Sequence, residues 1–164
     1  MGEELKKAGY KSIYGLDGSP DMLAIADTKG VYNWTWEVLV GVNPLPVGII
    51  YNAEVKDSGF DAVFSAACMI KGHFPNSCFE EMLKVLRPGG YFIFSIRDIY
   101  LNNETDNGQD YVGKLAQLEQ ENKIIAVDSV NFIKYEGLDL VTGHHEEGAN
   151  VKIYQKPAAT ALMF

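Results

Sequence analysis

Apolar and polar positions fall into blocks whose period changes along the chain, short continuous apolar runs alternating with segments whose apolar residues recur three and four apart. Residues 3–8 (EELKKA) place charges and a leucine at helical spacing, and Gly9 supplies the left-handed residue that commonly ends a helix. Residues 12–16 (SIYGL) are mostly apolar and are closed by Asp17 and Gly18, which predicts a buried strand with a polar stop. Ser19 is a good N-cap, Pro20 suits the first helical position and Asp21 favours the positive end of the dipole, so a helix is predicted from about Pro20 to Lys29, ended by Gly30. The run Trp36 to Val40 predicts a strand that Pro44 and Pro46 forbid from continuing. Within the connection 46–59, IIYNAEV is a candidate extra edge strand.

Phe60 to Ala66 (FDAVFSA) has the unbroken apolar character of a strand buried on both faces, and Phe79, Met82, Leu83 and Leu86 predict a helix over Pro75 to Leu86. LRPGG (86–90) then predicts a turn, followed by an almost wholly apolar strand from Tyr91 to Ile96. DIYLNNETDNG predicts a loop, Gln109 to Asn122 a helix, Ile124 to Val130 a strand, and Val151 to Gln155 the last strand. Strands alternating with helices predict an α/β fold, a mainly parallel sheet with helices on both faces, in one domain.

Charge and cysteine usage narrow the function classes. A net charge of −8, with no run of lysines or arginines, gives no electrostatic footprint for a phosphate backbone, so no nucleic-acid partner is expected. Cys68 and Cys78 match no close-spaced zinc pattern and read as buried thiols, so no metal is expected. With no secretory signal and no stretch of 18 apolar residues, the expectation is a cytoplasmic protein with no membrane partner.

In open sheets of this kind ligands lie beyond the carboxyl ends of the strands. Asp17 closes a strand before a capped helix, where its carboxylate can accept from both hydroxyls of a ribose or simply cap a turn. Ser65, Ala66 and Ala67 end another strand and are small enough either to admit a ligand or to permit close helix packing. His73 is a candidate base, although a histidine in a loop is more often merely solvated. His144 and His145, beside Glu146 and Glu147, point to opposite sides if in a strand and read as a solvated loop rather than a metal site. Trp34 and Trp36 share one strand face and are explained by core packing or by substrate stacking. Phe132, Tyr135 and Tyr154 read as core or sheet-face residues.

The order of an acidic strand end, an FDAV-like strand and an LRPGG turn resembles class I S-adenosylmethionine-dependent methyltransferases. At finer grain GLDGSPDML, KGVY, NPLP, GFDAVFSA, GHFP, LRPGGYFIFSIR and LEQENKI are similar to the methyltransferase-like proteins named for the Williams-Beuren syndrome chromosome region. The resemblance covers residues 1–156 as a partial methyltransferase domain, leaving 157–164 as a C-terminal tail. It implies a Rossmann-like sheet, mainly parallel with an antiparallel C-terminal strand, and S-adenosylmethionine as cofactor. It makes Asp17 the ribose ligand with Gly18 and Met22 beside the cofactor, places the adenine near Gly41 and Val42 where no acidic residue stands, and turns Ser65 and Ala66 toward the methionine portion. IIYNAEV resembles an insertion relative to these proteins.

In these relatives a strand and a GxGxG loop come before the helix that GEELKKAGY resembles, and here only Met1 precedes Gly2, so the sheet is expected to lack its first, central strand and to bind the cofactor weakly or not at all. Methyl transfer is an in-line displacement in which orientation of the nucleophile supplies much of the rate, and no universal side-chain catalyst is required. Three classes stand: a methyltransferase acting on an unidentified small-molecule or protein acceptor, a nicotinamide-dependent oxidoreductase, and a non-catalytic module retaining only the fold. The second lacks its glycine-rich fingerprint and a Tyr-x-x-x-Lys pair.

Overall fold

The computed structural model describes residues 1–45, 59–70, 72–101, 109–135, 138–139, 143–144 and 147–158. IIYNAEV, His145, Glu146 and the end of the tail lie outside the described residues. Helix α1 (Gly2–Lys7) leads through a turn at Gly9 (φ 95°) to β1 (Tyr14–Asp17), then α2 (Pro20–Thr28) and β2 (Trp34–Glu37). β3 (Phe60–Met69), α3 (Cys78–Val85) and β4 (Leu86–Arg97) follow, with a 3-10 turn at Asp98–Tyr100. The chain continues through α4 (Tyr111–Gln120), β5 (Ile125–Tyr135), β6 (Leu138–Asp139), β7 (Gly143–His144) and β8 (Glu147–Gln155).

The strands form two principal sheets rather than one. β1 pairs with β2 in parallel, Tyr14 opposite Trp34 and Asp17 opposite Glu37. A second sheet has the order β3-β4-β8-β5, parallel between β3 and β4 and antiparallel on both sides of β8. Among the described residues no ladder joins β1 to β3. β6 and β7 form a separate hairpin.

Several elements differ from the sequence reading in instructive ways. β2 spans Trp34–Glu37, not Trp36 to Val40, because its parallel partner β1 ends at Asp17. LRPGG does not precede β4 but lies inside it: the partners step from Phe60 with Leu86 to Ala62 with Tyr91, so Arg87–Gly90 bulge out opposite Asp61. Gly89 takes φ 75° there, and Arg87 Nε donates to Asp61 Oδ1 at 2.7 Å. β5 and β8 both outrun the predicted strands and pair from Ile125 with Gln155 to Tyr135 with Glu147. His144 lies in β7 and not in a loop.

The core sits on the face of the second sheet that α3 and α4 cover. Phe79, fully buried on α3, packs edge-on against Phe92 (5.8 Å) and Tyr111 (5.9 Å), and Phe94 stacks on Tyr154. Burying an aromatic side chain of this kind contributes about 2–3 kcal/mol. Cys78, Met82, Leu83 and Val85 complete the buried face of α3, Met82 and Leu83 as their helical spacing predicts, while Leu86 begins β4. Lys156 Nζ donates to the Leu83 and Leu86 carbonyls at 2.8 and 2.7 Å, satisfying acceptors that the end of α3 leaves open. Phe132 is 38% exposed, so it is a sheet-face residue and not core. Tyr135 pairs in the β5–β8 ladder. Cys78 is buried, but Cys68 is only partly so, which corrects the expectation of two buried thiols.

Candidate functional site

The carboxyl end of β1 delivers Asp17 to solvent. Asp17 Oδ1 accepts from the Ser19 main-chain N–H at 2.9 Å, and Ser19 Oγ in turn accepts from Met22 N at 3.3 Å, capping α2. The turn-capping reading of Asp17 therefore holds for one oxygen, while Oδ2 has no partner among the described residues. Gly18 lies beneath Leu39, whose side chain a Cβ at Gly18 would strike. Met22 is 54% exposed beside it.

At the neighbouring strand end the β1–β2 ladder continues one step, Val38 N donating to the Asp17 carbonyl at 2.9 Å. Gly41 takes φ 84° and packs on the start of α3, where a Cβ would stand 2.8 Å from Cys78 N, and its carbonyl accepts from Ser77 Oγ at 2.7 Å. Gly41 is thus held by α3, whereas Val42 is 64% exposed. Glu37, exposed and in register with Asp17, is an acidic strand end that the sequence reading missed. Placing the strand over residues 36–40 hid it within the run.

The carboxyl end of β3 is irregular. Between Ser65, opposite Phe94, and Met69, opposite Ile96, the register shifts, and Ala67 adopts φ 60° while its N–H donates to Ser95 Oγ at 2.9 Å. A left-handed alanine costs on the order of 1 kcal/mol, a form of strain that collects at functional sites. Ser65 Oγ is buried and makes no hydrogen bond of normal geometry, while Ala66 is exposed. Burial pushes the Cys68 thiol above its ordinary value and the Asp17 charge adds to the effect, the Ser65 hydroxyl working against them. β1 and β3 belong to different sheets, and their first residues touch through the Tyr14 and Phe60 rings, whose centroids lie 5.3 Å apart. His73, beyond β3, is exposed, its N–H donating to the Ile70 carbonyl at 3.2 Å.

The two strand ends offer the kinds of group that the sequence resemblance implies. A carboxylate with an outer oxygen fits a pair of hydroxyls and a buried hydroxyl with unmet capacity fits a polar tail, whereas the space a Gly18 side chain would take is filled by Leu39. No group of three histidine, cysteine, aspartate or glutamate side chains that could hold a metal occurs among the described residues.

The family model described as "Methyltransferase domain" matches residues 2–94, and that described as "Putative S-adenosyl-L-methionine-dependent methyltransferase" matches residues 51–162. Human methyltransferase-like protein 27 is 32% identical over 94 residues, which are 57% of this chain and 35% of that protein, so the match spans about a third of the curated relative. Among solved structures, the N-methyltransferase NodS from Bradyrhizobium japonicum WM9 in complex with S-adenosyl-l-homocysteine aligns with a TM-score of 0.57 at 14% identity, over 90% of this chain and 67% of that one. A SAM-dependent methyltransferase from Methanosarcina mazei aligns at 0.61 and 18% identity, over 96% and 87%. These likenesses establish the fold, Rossmann-like and mainly parallel with antiparallel C-terminal pairing.

Proposed function

We infer the function from one premise: the chain belongs to the class I S-adenosylmethionine-dependent methyltransferases, the family whose models match it over residues 2–94 and 51–162. We propose that residues 1–156 bind S-adenosylmethionine and transfer its methyl group to a small-molecule or protein acceptor, with 157–164 as a tail. The observation that supports this reading is that Asp17 closes β1 with one carboxylate oxygen outside its turn cap, while Ser65 near the end of β3 keeps a buried hydroxyl without a hydrogen-bond partner.

When bound, the cofactor supplies a methyl group activated by a positively charged sulfonium. Asp17 would accept from the ribose hydroxyls, with Gly18 beside it. Ser65 and Ala66 would face the amino-acid portion, Met22 would lie beside the cofactor next to Asp17, and Gly41 and Val42 would border the adenine. Orientation is the chief contribution of these residues. His73 is the proposed proton acceptor for an acceptor nucleophile. A cytoplasmic setting accords with this reading; among the described residues no helix is long and apolar enough to cross a membrane.

The second reading, a module retaining only the fold, is favoured by the separation of β1 from β3. Calorimetry with S-adenosylhomocysteine decides between them. Saturable binding tighter than about 1 mM, which corresponds to about 4 kcal/mol, that weakens in Asp17→Asn supports the methyltransferase. Absence of heat at that concentration leaves the fold-only module.

A further inference from the structure

β5 closes one side of the second sheet. β8 pairs with it from Ile125 to Tyr135, and among the described residues no strand pairs with its outer edge. Every residue from Ile125 to Phe132 is exposed, and Ile125, Val127, Val130 and Phe132 are large apolar side chains. Natural sheet edges are commonly blunted by brevity, by proline or by several charges. β5 is eleven residues long, has no proline and carries only Asp128 and Lys134 as charged residues. Its pairing with β8 is interrupted between Ala126 and Asp128 and again between Ile133 and Tyr135, which leaves Asp128 to Ile133 as the regular window of the edge. Within it Asp128, Val130 and Phe132 lie opposite Ile153, Val151 and Ala149, on the face of the sheet turned away from Phe92, Phe94 and Tyr154.

We propose that two copies of this chain associate through the outer edges of β5, antiparallel about a twofold axis near Val130 and Asn131, so that their two four-stranded sheets become one. Charge singles out a second copy as the occupant. The chain as a whole carries −8 and repels its like, but residues 125–135 hold one carboxylate and one ammonium group and are neutral together. Parallel pairing in register would set Asp128 against Asp128. Antiparallel pairing with either Val130 or Asn131 on the axis instead sets position 128 of each copy directly or diagonally opposite position 134 of the other, an acid beside a base, twice over. The same arrangement aligns the regular windows of the two strands and makes Val130 and Phe132 of one copy neighbours of the corresponding pair in the other. This inference is independent of cofactor binding.

The test is sedimentation equilibrium of the 164-residue chain from about 1 to 100 μM, with hydrogen–deuterium exchange at both ends of that range. The expected result is a monomer–dimer equilibrium in which exchange of peptic fragments covering Ile125–Tyr135 slows at the higher concentration. Asp128→Lys and Lys134→Asp each bring like charges together at two symmetric places and should weaken the dimer about tenfold or more, and the two substitutions combined should restore it. Recovery in the combined variant separates lost pairing from lost folding. A monomer throughout the range would overturn the proposal, as would a dimer that either single substitution leaves unchanged or that the combined variant fails to recover. A dimer whose protected fragments exclude Ile125–Tyr135 would place the contact elsewhere and overturn it equally.

Discussion

Tyr14 and Phe60 bind the two sheets together across a boundary that has no hydrogen-bonded ladder, their rings tilted by 59° with centroids 5.3 Å apart. Tyr14 also stacks on Trp36 at 5.7 Å, so three aromatic rings from three strands form one contact line. Phe60→Ala is expected to lower stability by about 2 kcal/mol, less than a fully buried phenylalanine because Phe60 is only partly covered. Urea unfolding checks this, and a loss below about 0.5 kcal/mol would mean the sheets are held together elsewhere.

Asp17→Asn is expected to weaken S-adenosylhomocysteine binding by about tenfold or more, as removal of a charged hydrogen-bonding partner does. Unchanged affinity by calorimetry would remove Asp17 from the ribose role.

The same substitution has a second readout. Because the Asp17 charge helps hold the Cys68 thiol above its ordinary value, Asp17→Asn should lower that value, raise the thiolate fraction and speed alkylation of Cys68 by iodoacetamide at pH 8. A rate no faster than in the parent would separate the two strand ends.

Cys78 gives stability a pH dependence. Burial pushes its thiol up to about 12, above the 9.0 of an ordinary cysteine, so between these values the folded state holds a proton that the unfolded state has lost. This contribution is fully present below pH 9 and is lost as pH rises toward 12, at a limiting slope of about 1.4 kcal/mol per unit. Urea unfolding from pH 8 to 10.5 should show a shallower decline in Cys78→Ala, and parallel declines would contradict the assignment.

Gly59→Ala is expected to be among the most damaging small substitutions. Gly59 takes φ 91°, and an added Cβ would stand 2.7 Å from both Arg87 N and Val85 O, main-chain atoms that cannot rotate aside. Strain and overpacking together should cost about 2–4 kcal/mol, measured as a fall in the urea midpoint.

Much of this was legible in the sequence where local chemistry and packing agree. Ser19, Pro20 and Asp21 announce α2, and the spacing of Phe79, Met82 and Leu83 announces the buried face of α3. What was not legible depended on a partner strand. β2 ends at Glu37 because β1 ends at Asp17, and β5 extends to Tyr135 because β8 is there to pair with it. LRPGG carries the signals of a turn, yet the β3 partner makes it a bulge within a strand. At the site, Asp17 and Ser65 announced themselves as strand ends, whereas Glu37 and the left-handed Ala67 emerged only from register.

β8 lies between β4 and β5, although it is last in the chain. During synthesis, β5 leaves the ribosome with no described neighbour to pair with until Glu147–Gln155 have followed it out of the exit tunnel. A chain interrupted before Glu147 would therefore present the eleven residues of β5 as an unpaired edge, open to pairing with other chains.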